Sequence, residues 1–177
     1  MGLFGSITGL FRKEPENLLL ELAAELKLTY YPPVDDKPAF ATGLYSGRGV
    51  TLDCMNEKGY HDIWHPHSRV VVLVDRNVKD TYIVSYQGRF YSRKLGEVKV
   101  DDKKFNDKYA LLSSAPHKAE KIFTDEVLSW ILRLEMPLIL SEGHVLFHQD
   151  KFIDDKERVK HIIDALVYIA TMAERTR

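Results

Sequence analysis

Between positions 54 and 67 the chain gathers one thiol, three imidazoles and a carboxylate: Cys54, His61, Asp62, His65 and His67. Zinc and other transition metals take this chemistry, a soft sulfur with nitrogen and carboxylate oxygen donors. His65 and His67 are two residues apart, so on an extended strand they share a face. Cys54, His61, His65 and His67 are therefore the candidate metal ligands, and a transition metal is the one cofactor the sequence suggests. The spacing departs from established zinc patterns, with no Cys-x-x-Cys pair and no His-Glu-x-x-His on a helix. Tyr60 and Trp64 in the same stretch suit a packed surface hairpin equally well.

Other chemistry fails on spacing. Ser113, Ser114 and His117 are triad residue types, but no Gly-x-Ser-x-Gly elbow presents a nucleophile. The glycine-rich stretch from Gly43 to Gly49 lacks the Lys-Ser/Thr of a phosphate loop and leads into strand-like sequence. It reads as a hairpin turn with Arg48 at its tip. Tyr82, Tyr86, Phe90 and Tyr91 could stack on bases or sugars, yet aromatic cross-strand pairs that hold a sheet together are the commoner use. Asp101 to Lys104 reads as a solvated loop. No catalytic residue is assigned, and the chain is expected not to be an enzyme.

The first thirteen residues, MGLFGSITGLFRK, pose a different problem. Leu3, Phe4, Ile7, Leu10 and Phe11 fall on one face of a helix, with glycine, serine and threonine opposite. Each of the three glycines costs such a helix about 1 kcal/mol relative to alanine. The segment is therefore expected to form its helix mainly when something covers those five apolar residues: a partner protein, a membrane surface or the chain's own core. Gly2 and Ser6 also fit the Met-Gly-x-x-x-Ser pattern of N-myristoylation.

Composition narrows the class. At 177 residues, with 45% hydrophobic residues and a formal net charge of −1, the chain has the size and apolar content of one globular domain and no field for nucleic acid. A lone cysteine cannot form an intramolecular disulfide, and no run approaches the roughly 18–20 apolar residues of a membrane span. A cytoplasmic protein, membrane-peripheral at most, is expected.

These residues need a frame. Leu18, Leu19, Leu22, Ala23 and Leu26 predict a helix from Glu14 to Leu28, with Pro15 in its first turn. From Ala39 the period changes to two, and strands are expected at Phe40 to Tyr45, Val50 to Cys54, Arg69 to Asp75, Thr81 to Tyr86, Arg89 to Arg93 and Lys108 to Leu112. Gln87-Gly88 reads as a hairpin turn, and Val70 to Val74, apolar on both faces, as the central strand. Helices over Ser114 to Ile122 and Thr124 to Leu134 precede a second hairpin, Pro137 to Leu140 and Val145 to His148. A last helix begins at an Asp154/Glu157 capping box and runs to Arg175, with Val159, Ile162, Ile163, Leu166, Ile169, Ala170 and Ala173 as its stripe.

The expectation is an α+β fold: an antiparallel sheet of about six to eight strands, covered on one face by the N- and C-terminal helices. Residues 1–13 form an appendage, and 14–177 a single domain. The stretch from Phe105 to Ser114, the following AEKIFTDEVL of Ala119 to Leu128, the Ile139 to Phe147 hairpin and the strand pair of Gly43 to Val50 resemble an uncharacterised prokaryotic α+β domain family. That resemblance covers about half of the chain and implies a sheet domain, often membrane-associated, with no activity to carry over. Together these readings give an interaction or accessory protein that docks to a protein assembly, to a second copy of itself or to a membrane face. The competing reading is a metal- or small-ligand-binding protein using the segment from Cys54 to His67.

Overall fold

The computed structural model describes residues 15–35, 37–58, 64–88 and 95–176, with the side chains at 55–58 and 64–66 left aside. Nine antiparallel strands form one sheet in the order β1-β2-β3-β4-β9-β8-β5-β7-β6. The strands are β1 (Thr29–Tyr31), β2 (Phe40–Tyr45), β3 (Arg48–Lys58), β4 (Trp64–Leu73), β5 (Tyr82–Tyr86), β6 (Gly96–Val98), β7 (Tyr109–Ser113), β8 (Leu138–Ser141) and β9 (His144–Gln149). The helices are α1 (Pro15–Leu26), α2 (Lys103–Lys108), α3 (Pro116–Ile122), α4 (Asp125–Leu134) and α5 (Lys156–Arg175). The α+β class and antiparallel sheet agree with expectation. The strand count is higher because β1 and β6, three residues each, are too short to show a period.

Alternation decides which side chains meet the helices. Ala41, Val50, Leu52, Val70, Val72, Val145, Phe147, Leu138 and Leu140 are all buried, as are Leu18, Leu19, Leu22, Ala23 and Leu26 of α1. The stripe of α5 is buried in full, joined by Ala165. Each large aliphatic chain taken out of water there contributes about 1.5–3 kcal/mol. The layer is pinned at its rim. Tyr45 Oη donates to Asp164 Oδ1 of α5 at 2.8 Å, and Lys156 Nζ of α5 pairs with Glu25 Oε2 of α1 at 2.9 Å.

Several boundaries move for local reasons. The first helix stops at Leu26 rather than Leu28, because Lys27 turns left-handed (φ 57°) and Leu28 N–H donates back to the Ala23 carbonyl. α4 ends the same way, with Glu135 at φ 50° and Met136 N–H on the Ile131 carbonyl. The last helix is capped by Asp155, whose carboxylate accepts from Arg158 N–H, one residue beyond the expected Asp154. Asp101 to Lys104 is not all loop, since Asp102 caps α2 by accepting from Phe105 N–H. β5 lies between β7 and β8, and the expected strand at Arg89 to Arg93 falls outside the described residues. Gly43 to Gly49 is a hairpin turn, with positive φ at Ser46 and Gly47 (50° and 77°) joining β2 to β3.

Val70 to Val74 lies well inside the sheet, between β3 and β9, but it is not apolar-packed on both sides. Val70 and Val72 are buried, whereas Leu73 is 57% exposed. The cause is that α1 and α5 lie on the same face, so across β2, β3, β4, β9 and β8 the reverse face is open.

Candidate functional site

The open face is built by register. Thr42 stands opposite Thr51, Thr51 opposite Val71, Val71 opposite Leu146, and Leu146 opposite Ile139. The threonine hydroxyls meet at 2.8 Å. At one end Tyr31 stacks on Phe40, ring centroids 4.6 Å apart. Leu73 Cδ1 lies 2.6 Å from where a side chain on Gly49 would begin, so Leu73 lies over the bare backbone of Gly49 and a side chain there would displace it. Leu44 is 74% exposed. A shallow depression of about 500 Å³ lies over Arg69, Val71, Leu73, His144 and Leu146.

Arg69 is paired on this face. Arg69 Nε and Nη2 hold both oxygens of Asp53 at 2.7–3.1 Å, a fork across β3 and β4. At the β2–β3 turn Arg48 does not project into solvent. Its guanidinium reaches both carboxylate oxygens of Glu174 in α5 at 2.8 Å, and this bond holds the guanidinium above its ordinary pKa.

The sequence-nominated ligands separate in the structure. Cys54 pairs with Ser68, and its thiol borders the small space walled by Leu18, Leu22, Leu52 and Val70 beneath α1. Burial there pushes the thiol up to about 11, against the opposing hydrogen bond with Ser68. His67, one residue before Ser68, points to the open face by strand alternation. The structure therefore does not bring Cys54 and His67 together. His61 and the side chain of His65 lie outside the described residues, as do Leu3, Phe4, Ile7, Leu10 and Phe11 with Gly2 and Ser6.

His67 instead meets two residues from β9 and its end. Its Nδ1 lies 3.0 Å from His148 Nε2 and 3.4 Å from Asp150 Oδ1. The ring planes are stacked, 15° from parallel with centroids 4.9 Å apart, and the two facing nitrogens are the ones in hydrogen-bond contact. His67 is buried, whereas Asp150 is exposed. The ladder explains the meeting: Arg69 is opposite His148 and Ser68 opposite Gln149, which sets His67 across from Asp150. The contact spans 81 residues of sequence, so no local spacing could have revealed His148 or Asp150.

The two serine hydroxyls of the triad types are used locally. Ser113 Oγ accepts from Ala115 N–H and Ser114 Oγ from Thr81 N–H, both shaping the turn into α3. Tyr86 packs against Tyr109 with centroids 5.1 Å apart, and Tyr82 is buried. Tyr82 and Tyr86 therefore serve the sheet, and Phe90 and Tyr91 lie outside the described residues. No helix among the described residues is long and apolar enough to cross a membrane.

Among the described residues, fold and face together give one nine-stranded antiparallel sheet with α1 and α5 on one side and an open opposite side across β2, β3, β4, β9 and β8. No family model matches the chain, and no curated protein does. Among solved structures it is similar to the mycobacterial trehalose monomycolate transport factor A, TtfA, with a TM-score of 0.67 at 6% identity, over 91% of this chain and 95% of that one. At that identity the likeness is one of fold.

Proposed function

We propose that this chain is a non-enzymatic accessory protein that docks to a larger protein assembly or a membrane surface. One observation carries the reading: Leu44 and Leu73, 74% and 57% exposed, stand beside Val71, Leu146 and Ile139 on a sheet face that α1 and α5 leave open. A contiguous apolar patch of this kind is the usual mark of an interaction surface. Docking is by the face rather than by strand addition, since the edge strands β1 and β6 offer three residues each. The amphipathic residues Leu3, Phe4, Ile7, Leu10 and Phe11 supply a second, weaker contact. The fold shared with a protein named as a transport factor accords with an accessory role.

The experiment is affinity purification of the native protein in three forms: wild type, Leu44→Asp/Leu73→Asp, and a form lacking residues 1–13. The substitutions fall on exposed positions and are expected to leave the circular dichroism spectrum and melting temperature nearly unchanged. The double variant is expected to lose the proteins or lipid vesicles that wild type retains, and the truncation to hold them less tightly. Equal recovery by all three forms would reject the reading.

A further inference from the structure

We infer that His67, His148 and Asp150 form a binding site for one divalent transition-metal ion of the zinc class, independent of any docking at the open face. One donor atom from each of the three residues lies within 4.8 Å of the other two. His67 Nδ1 is 3.0 Å from His148 Nε2 and 3.4 Å from Asp150 Oδ1, and His148 Nδ1 is 3.9 Å from that same oxygen. Two imidazoles and one carboxylate are a donor set for zinc, cobalt, nickel or iron, and a poor one for calcium or magnesium, which demand oxygen. Three protein ligands leave a position open for water or an incoming group.

Two of the three donors are placed by the strand ladder. His67 and His148 lie on adjacent strands whose pairing continues from Leu73↔His144 through Ser68↔Gln149. The neighbouring guanidinium does not compete for Asp150, because Arg69 is held in its fork with Asp53. His67 is 8% exposed, so the site has a buried floor and an open mouth. In the metal-free arrangement the imidazole nitrogens are 3.0 Å apart and share one N–H···N hydrogen bond. Two nitrogens on one tetrahedral zinc at about 2.0–2.1 Å stand slightly farther apart than that. Binding therefore requires the ring that donates this hydrogen bond to carry its proton on its other nitrogen, which frees both facing lone pairs, and a small opening of the exposed His148 and Asp150 side chains, with His67 in place.

The test uses the full chain without a histidine tag, freed of metal by dialysis against chelator. Zinc chloride is titrated calorimetrically, and cobalt chloride is followed by its visible absorption, which reports coordination geometry. One equivalent is expected, with cobalt bands of four- or five-coordination. His148→Ala and Asp150→Asn, both at solvent-facing side chains, are each expected to weaken binding by at least about 10–100-fold, the range produced by losing even an outer-shell partner. His144→Ala, on the same face and strand but outside the trio, should bind as wild type does. Absence of stoichiometric zinc binding by wild type overturns the inference. So does wild-type affinity in both His148→Ala and Asp150→Asn, since the ion would then sit elsewhere. If His148→Ala does not fold, Asp150→Asn decides alone.

Discussion

Asp53 is almost wholly buried and meets Arg69 through three N–H···O contacts at 2.7–3.1 Å, although the arginine remains 41% exposed. Removing one member of a buried pair leaves the other charge uncompensated, at about 3–5 kcal/mol. The exposure of Arg69 lowers that figure through solvent screening. Arg69→Met is expected to cost about 2 kcal/mol by urea denaturation. Asp53→Asn/Arg69→Gln, which removes both charges, should cost less than Arg69→Met alone. An equal or larger loss in the double variant would mean the pair is not the source of the penalty.

Lys27 sits at φ 57° where α1 ends, a conformation that suits glycine far better than lysine. Lys27→Gly removes a left-handed strain of about 1–2 kcal/mol and adds back part of that as unfolded-chain entropy. A net stabilisation of about 0.5 kcal/mol is expected, read as a higher urea midpoint at unchanged slope.

Alkali should unfold this protein through three buried groups. Burial raises Cys54 to about 11 and Tyr82 to about 12, and pushes Tyr109 up as well, with nearby Tyr86 adding to the last. Unfolded, a thiol ionises near 8.5 and a phenol near 10, on the order of ordinary side chains. Below those values both states hold their protons and the full stability is present. As pH rises through the folded values, the unfolded chain ionises first and stability is lost. Spectrophotometric titration should show a fraction of the tyrosines ionising only together with loss of circular dichroism. At pH 8, Cys54 should resist iodoacetamide until denaturant is added.

Arg48→Lys keeps the charge at the β2–β3 turn but loses the two-pronged grip on Glu174. A loss of about 1 kcal/mol is expected. Glu174→Gln in the Arg48→Lys background should cost little more, because the fork is already lost and the amide oxygen can still accept from Asp75 N–H.

Much of the frame was legible because it depends on period. The buried stripes of α1 and α5 coincide with the residues that 3.6-residue spacing selects, and β2 coincides with the run from Phe40 to Tyr45. Boundaries failed where a single torsion decides them, as at Lys27. Helices on one face were expected, but which residues of β4 stay open was not legible, since Val70 to Val74 is apolar at every position. The histidine site was half legible. His67 was nominated for its neighbours in sequence, but strand alternation sends Cys54 to the helix side, and the partners at 148 and 150 arrive by register across β4 and β9.

That β4–β9 seam also constrains the order of assembly. Strands β1 to β4 form a meander from consecutive residues, whereas β4 must wait for β9, with four other strands and three helices synthesised in between. α5, which packs on both β4 and β9, follows every strand in the chain. A nascent chain therefore lacks the cover that α5 gives β4 and β9 until α5 has left the ribosome. Contacts this distant in sequence slow folding, because a long loop must close before any of them forms. During synthesis the first four strands are the segment that most needs a chaperone, and pulse-labelled chains arrested before residue 156 should be captured by one.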